Sequence, residues 1–484
     1  MANTKKPLKP QRILDPLHNL IPFGTDQFEH VLWQVVQTSP FQRLRRIKQL
    51  GFSELVFPGA THTRFSHSVG AFHTARQLMT IIKRHLETNG RQYLEHQAQL
   101  ALAGALVHDL GHGMFSHAFE DVGKKLNIRM ARHEQVSDAL IRDSEISEAF
   151  RELGKSFSEE VADLIKQSGP GNIYDAVVSS QFDADRLDYM QRDRLMTGVQ
   201  SSGIDFTWLL ANLEVGTLST GVDEEPLGEI ETFVLAPKAL RTAEALILAL
   251  FQLYPNVYFH KATRGAEKVF TALMLKLIAL VRSESTKATG LPDTHPIVKF
   301  AREPEDLGNV CNLDDAVFLG ALPLLMNAED ICVKRLSTIL RNRELPKCCD
   351  IREHLIAEIA PKRPTTNEQR NELKVRLEEL EIAIEAQLNH WSDEKSTTVP
   401  RLLIDRTERE PYKTFQESKG PLNQIRIRDM SGHILDMAEK SPIVAAIETF
   451  KLFRVYFADG DQDAKLAIER ITNDVLKGGG HGTK

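Results

Sequence analysis

Apolar residues recur along most of the chain at the three- and four-residue spacing of amphipathic helices. Two early examples are the stripe Phe28, Leu32, Val35 and Val36 and the stripe Ala71, Leu78, Ile81 and Ile82. Long alternating runs of β-branched residues, which are typical of strands, are scarce. The best strand candidates are Phe52–Phe57, Thr232–Leu235 and Gln424–Arg428. The pattern therefore predicts a mostly α protein with small β-ribbons and a C-terminal α+β lobe.

Breaks in the helical pattern divide the chain into five expected segments. Residues 1–24 form a lead-in that is expected to be irregular to about residue 20. Residues 25–290 form one long helical block, and residues 291–360 form a helical extension. A proline-containing linker opens the α+β lobe at 361–476, and the glycine-rich tail 477–484 is expected to be disordered.

One apolar stripe follows the linker, within a sequence rich in Glu and Arg. Its members are Leu373, Leu377, Leu380, Ile384 and Leu388. The stripe fits either a coiled-coil seam or a helix that packs on its own domain. It covers only about two heptads, fewer than coiled coils usually sustain, so packing within the domain is favoured.

Composition narrows the classes of protein to consider. The 484 residues include four cysteines and carry a formal net charge of -6. No Cys-x-x-Cys pair occurs, so a disulfide framework and a thiolate zinc site are both disfavoured. The negative balance argues against a protein that coats nucleic acid, and the longest early apolar run, Leu100–Val107, is far short of the ~20 residues of a membrane span. The polar N-terminus is not a secretory signal, so we expect a soluble cytoplasmic protein.

The most informative segment is that apolar run together with the His108 and Asp109 that follow it. Burial of an ionised carboxylate without a partner costs several kcal/mol, and a divalent cation compensates this cost well. His112 lies four residues after His108 and is expected on the same helical face, while Gly111 allows a close approach of backbone or ligand. The alternative is a set of histidines satisfied by hydrogen bonds, which this clustering makes the weaker interpretation.

Two other segments offer further metal ligands. His67 lies in the segment TRFSHSVG, and Asp185 lies in FDADRLDYMQRD. Two imidazoles and two carboxylates make a mixed nitrogen and oxygen site, which suits Mn, Fe, Zn or Ni better than Mg or Ca. Taken alone, the acidic segment also fits a solvated, salt-bridged helix face.

A third segment places His133 beside Glu134. An imidazole next to a carboxylate fits a proton-transfer pair near the metal. An ordinary exposed helix is the alternative interpretation.

These motifs resemble a known family. The set His67, His108-Asp109 and Asp185 resembles the metal-binding signature of the HD-domain metal-dependent phosphohydrolases. The stretches 40–51, 56–60 and 64–68 look like the SAM-and-HD-domain dNTP triphosphohydrolases, in a compact bacterial form without a SAM domain. The resemblance spans most of residues 12–460 and implies an HD-domain helical core within the block at 25–290.

The resemblance implies hydrolysis of a dNTP to a deoxynucleoside and inorganic triphosphate, with one divalent metal per subunit (Mn, Fe, Zn, Ni or Mg). The implied metal ligands are His67, His108, Asp109 and Asp185. The implied catalytic residues are His112, His133 and Glu134. The implied substrate-binding residues are Gln49, Leu50, Arg64, His117, Arg186, Tyr189, Asp193 and Arg264. The resemblance further implies a homo-oligomer and an activating nucleotide bound at Gln42 and Arg45.

The sequence departs from the family pattern at two positions. Gln37 stands where animal members carry an Asp that reads an activating guanine, so the resemblance does not carry guanine specificity over. Arg264 stands where those members carry a Tyr beside the sugar, and we expect Arg264 to hold phosphate.

Two other functions stay open. An HD-type phosphodiesterase or nucleotidase that acts on cyclic or monophosphate nucleotides would use the same metal set. A nucleic-acid-binding or scaffold protein with a vestigial HD site is suggested by the basic run Arg43, Arg45, Arg46 and Lys48. Overall charge disfavours nucleic acid as the main partner, and no membrane partner is expected.

Overall fold

The computed structural model describes residues 9–167, 169, 171–200, 203–222, 225–360, 366–396, 398–410 and 424–478. These residues are mostly helical with small sheets, which confirms the fold class predicted from the apolar pattern. Within the described ranges, no helix has both the length and the apolar character needed to cross a membrane.

The strands are β1 (Gln11–Asp15), β2 (Asn19–Phe23), β3 (Leu213–Val222), β4 (Glu225–Leu235), β5 (Lys347–Asp350), β6 (Leu402–Arg409), β7 (Arg426–Arg428), β8 (Ile434–Asp436) and β9 (Phe450–Phe457). The first helices are α1 (Gln27–Gln37), α2 (Ser39–Arg43), α3 (Arg64–Thr88), α4 (Glu95–Val107), α5 (His117–Leu126), α6 (His133–Arg142), α7 (Glu145–Phe150), α8 (Phe157–Lys166), α9 (Ala184–Thr197), α10 (Phe206–Ala211) and α11 (Leu240–Leu253). The later helices are α12 (Lys261–Arg282), α13 (Pro296–Arg302), α14 (Leu307–Cys311), α15 (Asp315–Leu325), α16 (Ile331–Asn342), α17 (Ile351–Ile359), α18 (Asn367–Lys395), α19 (Met437–Lys440), α20 (Pro442–Ala445) and α21 (Gln462–Gly478).

Two compact units make up the chain. The first comprises Met1–Val257, Pro304–Ala316 and Glu410–Glu448. The second comprises Tyr258–Glu303, Val317–Arg409 and Thr449–Lys484. The five segment boundaries expected from the sequence stay predictions, and the linker residues 361–365 and tail residues 479–484 lie outside the described residues.

The first unit opens with an antiparallel hairpin, β1 paired with β2 from Gln11↔Phe23 to Asp15↔Asn19. The carboxylate of Asp15 accepts hydrogen bonds from the N–H groups of two turn residues, Leu17 and His18, and so closes the hairpin. The expected irregular lead-in is therefore wrong for this stretch.

A four-stranded sheet, ordered β3-β4-β7-β8, also belongs to the first unit. Its strands β4 and β7 confirm the strand candidates at 232–235 and 424–428. The third candidate, Phe52–Phe57, is wrong, because Gly51–Leu55 forms a 3₁₀ helix. Phe52 is buried there by stacking on the ring of Phe115, at 4.0 Å between centroids, and not by pairing in a sheet.

The second unit is built around the sheet β5-β9-β6. Helices α18 and α21 cover this sheet, and their apolar residues share one core with Phe453 and Val455 of β9. Leu377, Leu380, Ile384 and Leu388 of the stripe are buried in that core. The interpretation of α18 as a helix packed within its own domain is confirmed.

Helix α3 holds the first unit together where the candidate chemistry lies, since it packs against both α4 and α9. His67 lies in the first turn of α3, His108 directly follows α4, and Asp185 lies in the first turn of α9. Three helix ends therefore meet at one place.

Candidate active site

Local backbone features mark each of the three helix ends. Thr63 is extended, and α3 begins after it, so that His67 falls in the first turn. The carboxylate of Asp183 accepts the N–H of Arg186 at 2.7 Å and caps the start of α9 beside Asp185. Helix α4 ends at Val107, and the turns that follow lead to Gly111, where an added Cβ would lie 2.1 Å from the backbone oxygen of His133 in α6.

Four side chains converge between these helix ends. Asp185 Oδ1 lies 2.9 Å from His67 Nε2 and 3.5 Å from His108 Nε2. Asp109 Oδ2 lies 3.7 Å from His67 Nε2, and Asp109 Oδ1 lies 3.5 Å from His108 Nε2. Ligands at about 2.1 Å from one ion in tetrahedral geometry are about 3.4 Å apart. One ligand atom each from His67, His108 and Asp109 lie within 4.8 Å of one another, close enough to hold a single ion, and Asp185 Oδ1 lies beside both imidazoles.

The second ring nitrogen of each imidazole is used for orientation. His67 Nδ1 lies 2.8 Å from Asp188 Oδ2, and His108 Nδ1 lies 3.0 Å from the carbonyl oxygen of Ala105. Neither Nε2 atom has a hydrogen-bond partner among the described residues. Burial lowers the pKa of His67, but Asp185 and Asp188 outweigh burial and raise it to about 10. The residues fit a divalent cation, because the carboxylates favour a positive charge at this position and the Nδ1 contacts orient both imidazoles with Nε2 towards it.

Asp188 belongs to a buried network behind the cluster. His18 Nε2 lies 2.6 Å from Asp188 Oδ1, and the guanidinium of Arg192 donates to both Asp188 oxygens at 2.8 and 2.9 Å. Arg192 also donates to Asp15 at 2.7 Å, so the hairpin turn joins the same network. Residue 70 must be glycine here, because an added Cβ would lie 2.1 Å from both Arg192 and Asp188.

Asp109 connects the candidate metal-binding side chains to a second group of side chains. Arg64 Nη1 donates to Asp109 Oδ2 at 2.5 Å, and its Nε donates to Ser116 Oγ at 2.9 Å. His112 Nε2 lies 3.2 Å from Asp109 Oδ1. The expectation that His108 and His112 share a helical face is wrong, because the helix ends at Val107 and turns bring His112 to Asp109.

The second group contains the residues predicted to transfer protons. The rings of His112 and His133 are stacked at 4.0 Å between centroids, with an 11° interplanar angle. Glu120 hydrogen-bonds to His133 Nδ1 with one oxygen and lies 3.1 Å from His117 Nδ1 with the other. Glu134 lies 3.7 Å from His133 Nε2 and is largely exposed. A proton path from Asp109 to solvent is therefore geometrically possible.

Burial and neighbouring charges shift the pKa values of His112, His133 and Glu120. Burial lowers the pKa of His112 well below its ordinary value, and the nearby Arg64 and His133 lower it further. Burial also lowers the pKa of His133, but the carboxylate of Glu120 outweighs burial and raises it. Burial raises the pKa of Glu120, but hydrogen bonds from His117 and His133 outweigh it and hold the pKa far below its ordinary value.

The remaining substrate candidates on α9 have their own partners. Arg186 Nη1 donates to Gln181 Oε1 at 2.5 Å. Tyr189 is half-buried, and burial raises the pKa of its hydroxyl. Asp193 is buried, with Oδ1 at 2.8 Å from His62 Nε2. Arg186 and Tyr189 follow the predicted metal ligand on the same helix, whereas Asp193 lies two turns further on.

Gln49 and Leu50 lie just before the 3₁₀ helix Gly51–Leu55. The N–H of Gln49 donates to the carbonyl oxygen of His62 at 3.0 Å, and His62 directly precedes Thr63, the residue before α3. The Oε1 atom of Gln49 is buried and has no hydrogen-bond partner among the described residues. An unpaired buried acceptor is suited to a donor from a ligand.

Gln42 and Arg45 contact each other. Arg45 Nε donates to Gln42 Oε1 at 2.8 Å, and the guanidinium lies 3.5 Å from the ring centroid of Phe65. Their predicted contact with an activating nucleotide stays a prediction.

Arg264 lies in the second unit and is held by carboxylates there. It donates to Asp405 Oδ2 at 2.9 Å and to Glu267 Oε2 at 2.7 Å. Its predicted contact with phosphate stays a prediction.

Sequence reasoning assigned no role to several residues that contact the candidate site or belong to the buried network behind it. These are Asp15, His18, Glu120, Asp188 and Arg192. One signal was present, since Asp188 and Arg192 form an i,i+4 ion pair on α9. Glu120 lies three residues after His117, which is also a helical spacing, but its bond to His133 depends on how α5 and α6 meet.

Comparison with protein families shows two matching regions. Residues 64–190 match the family described as HD domain. Residues 229–315 match the family described as HD associated region. The first region includes the four candidate metal ligands His67, His108, Asp109 and Asp185.

Individual proteins are also similar. The uncharacterized protein YwfO of Bacillus subtilis is 30% identical over 335 residues, which cover 68% of this chain and 70% of that protein. The deoxynucleoside triphosphate triphosphohydrolase SAMHD1 of Mus musculus is 26% identical over 384 residues, which cover 72% of this chain and 54% of that protein. The chain thus spans about half the length of the mouse relative. The solved structure of a phosphohydrolase from Bacteroides thetaiotaomicron is 25% identical with a TM-score of 0.68, covering 93% of this chain and 100% of that one.

Proposed function

This chain belongs to the HD-domain family, and on that premise we propose that it hydrolyses deoxynucleoside triphosphates to deoxynucleosides and inorganic triphosphate. One observation carries the proposal. The cluster of His67, His108, Asp109 and Asp185 shares Asp109 with a stacked pair of histidines. Support for the substrate class comes from the mouse relative, which is named a deoxynucleoside triphosphate triphosphohydrolase.

The four clustered side chains would hold one divalent cation per subunit. A bound cation would polarise a phosphoryl oxygen and lower the pKa of bound water. Asp185 is the most exposed of the four, with 45% of its side chain accessible, whereas the His67 side chain is fully buried. Substrate and water would therefore reach the cation from the side of Asp185.

Three basic side chains would bind the triphosphate. Arg64 already lies against Asp109, and its planar guanidinium suits bidentate contact with phosphate oxygens. Arg186 follows Asp185 directly on α9, and His117 is largely exposed at the start of α5. Together these three side chains would offset part of the negative charge of the substrate on the side of Asp185, from which substrate would reach the cation.

Water would attack the α-phosphorus, and the bond between that phosphorus and the 5′ oxygen would break. Water loses a proton and the 5′ oxygen gains one, so the reaction balances without another reactant. His112 is the imidazole nearest to the cluster through Asp109. His133 and Glu134 would pass the proton between His112 and solvent, and Glu120 would hold His133 in place.

The sugar would be bound by residues on two segments. Gln49 offers an unpaired buried carbonyl oxygen that suits a sugar hydroxyl, and Leu50 would lie against the deoxyribose carbon atoms. Tyr189 and Asp193 would contact the sugar from α9. An activating nucleotide at Gln42 and Arg45, with assembly into a homo-oligomer, completes the proposal.

A product assay tests this function. The purified protein with Mn²⁺ is incubated with each of the four dNTPs, with a nucleoside monophosphate and with a cyclic nucleotide, with and without a second nucleotide, and products are separated by chromatography. Deoxynucleoside and triphosphate in equal amounts are expected from dNTPs. Monophosphate with pyrophosphate would overturn the reaction, and cleavage of only cyclic or monophosphate nucleotides would favour the phosphodiesterase or nucleotidase alternative.

A variant separates an enzyme from a scaffold with a vestigial site. His108→Ala is expected to lose on the order of a thousandfold in kcat, because several kcal/mol of charge stabilisation depend on the ion. The matched control is His96→Ala, since His96 is an exposed histidine paired with Glu160. An unchanged kcat in His108→Ala would contradict the proposal.

A further inference from the structure

Two consecutive residues in the turn after the metal-binding segment have backbone conformations that L-residues rarely adopt. Phe115 has a φ of 52° and Ser116 a φ of 54°, and neither is glycine. A positive φ at a bulky residue is a genuine outlier. Such strain persists only where the surroundings fix the backbone, and it is concentrated at functional sites.

Asp315 fixes this turn from a distant part of the sequence. The N–H of Phe115 donates to Asp315 Oδ1 at 2.7 Å. The N–H of Lys48 donates to the other oxygen, Oδ2, at 2.9 Å. Asp315 is 2% exposed, and both of its hydrogen-bond donors, Phe115 and Lys48, belong to the first unit as Asp315 does. One buried side chain thus joins the strained turn to the segment that carries Gln49 and Leu50.

The two joined segments also meet directly. Ser116 Oγ donates to the carbonyl oxygen of Lys48 at 3.4 Å, and the same Oγ accepts a hydrogen bond from Arg64 Nε at 2.9 Å. The stacked rings of Phe52 and Phe115 pack beside this contact. The position of Ser116 therefore sets the position of the Arg64 guanidinium relative to the Lys48 segment.

We propose that Asp315 is a positioning residue, which ties Lys48–Leu50 to the Phe115–Ser116 turn and so fixes the spacing between the sugar side of the site and Arg64. The substrate part of this inference rests on the proposed function. Among the described residues, the two carboxylate oxygens of Asp315 accept hydrogen bonds from the backbone N–H groups of Phe115 and Lys48, so we expect Asp315 to act through these segments and not on substrate. Its loss is expected to change how substrate is held more than how the metal is bound.

Asp315→Asn is the test variant, because asparagine keeps the size of the side chain but accepts through only one oxygen. One backbone N–H then faces an amide nitrogen, and hydrogen exchange at Lys48 or Phe115 is expected to accelerate on the order of tenfold. KM for dNTPs is expected to rise on the order of tenfold, with a smaller change in kcat. The preference for dNTP over NTP is expected to fall, while Mn²⁺ affinity stays unchanged.

Asp314→Asn is the matched control. Asp314 is the neighbouring buried carboxylate, and its oxygen accepts from the Arg46 side chain at 2.5 Å. Asp314→Asn is expected to leave exchange at Lys48 and Phe115, and the dNTP preference, as in the wild type. Unchanged exchange in Asp315→Asn, or an unchanged KM and sugar preference, would overturn the inference.

The failure of the proposed function is distinguishable from the failure of this inference. If the wild-type protein releases no deoxynucleoside, the proposed function fails, and the sugar-side role of Asp315 fails with it. Hydrogen exchange at Lys48 and Phe115 alone then tests whether Asp315 joins the Lys48–Leu50 segment to the Phe115–Ser116 turn. If Asp315→Asn does not fold, Ser116→Ala is tested instead, because this substitution removes the hydroxyl that bridges Lys48 and Arg64. A raised KM for dNTPs in Ser116→Ala supports the inference. An unchanged KM overturns the inference.

Discussion

His67 Nδ1 lies 2.8 Å from Oδ2 of Asp188, and both side chains are fully buried. A carboxylate at this nitrogen holds the proton on Nδ1 and turns the Nε2 lone pair towards Asp109 and Asp185. The pair therefore links a candidate metal ligand to a network that reaches the N-terminal hairpin through Arg192 and Asp15.

We predict that Asp188→Asn weakens Mn²⁺ binding by roughly 10- to 100-fold, because the carboxylate that orients and polarises His67 is lost. Isothermal titration calorimetry on the metal-free protein measures this. Asp175→Asn is the control, since Asp175 is another buried carboxylate, which accepts backbone N–H groups of Gly171 and Asn172. Equal Mn²⁺ affinity in Asp188→Asn and wild type would show that His67 needs no such support.

Glu120→Gln is expected to lower kcat roughly 100-fold and to leave Mn²⁺ affinity unchanged. The reason is that Glu120 holds His133 Nδ1 and favours the protonated imidazole, and positioned acid–base groups contribute roughly 10²–10⁴-fold. Steady-state kinetics at fixed metal concentration measure it. Glu160→Gln is the control, because Glu160 pairs with His96 on the surface. A wild-type kcat in Glu120→Gln would remove His133 from the proton path.

The stability that Glu120 contributes is expected to depend on pH. Its pKa is held below its ordinary value of 4.5, so its contribution is present above that pH and is lost as the pH falls further. His133 has a raised pKa, so its contribution is present below its ordinary value of 6.5 and is lost as the pH rises through the raised value. Urea unfolding of the metal-free protein should show the wild type losing its advantage over Glu120→Gln as pH falls from about 6 to about 3. A difference that does not change with pH would contradict this assignment.

Gly111→Ala is expected to destabilise the protein by about 1–3 kcal/mol and to reduce activity. An added Cβ would lie 2.1 Å from the carbonyl oxygen of His133 and 2.4 Å from the nitrogen of Ser137, so the start of α6 must shift. Gly104→Ala is the control, since its Cβ would meet only side-chain atoms at 3.4 Å or more and alanine favours a helix. Chemical denaturation with a parallel assay distinguishes the two, and equal stability of both variants would refute the close approach.

The sequence was informative where local patterns set the structure. Apolar periodicity predicted the helices, and the apolar run before His108 indicated a buried pair of ligands. The stripe on α18 was correctly interpreted as a packing face, because two heptads are too few for a stable seam. The grouping of His67, His108, Asp109 and Asp185 was predicted from their side-chain chemistry and from the family resemblance, because they lie on three separate helix ends and no local spacing joins them.

Features that depend on distant contacts could not be predicted. His18 and Asp188 are 170 residues apart in sequence, and Asp315 is 200 residues from Phe115. The apolar neighbours of Phe52 predict a strand, whereas Phe52 lies in a 3₁₀ helix and its ring stacks on that of Phe115. Nothing in the local sequence specifies these partners, because they meet only when separate helix ends and loops pack together.

The proposed function depends on attack by water at the α-phosphorus of a dNTP beside His67, His108, Asp109 and Asp185. Hydrolysis of a dNTP in H₂¹⁸O with Mn²⁺, followed by mass spectrometry of both products, shows which product receives the oxygen of water. We expect one ¹⁸O atom in each triphosphate and none in the deoxynucleoside. Label in the 5′ oxygen of the deoxynucleoside, or in a monophosphate released together with pyrophosphate, would contradict it.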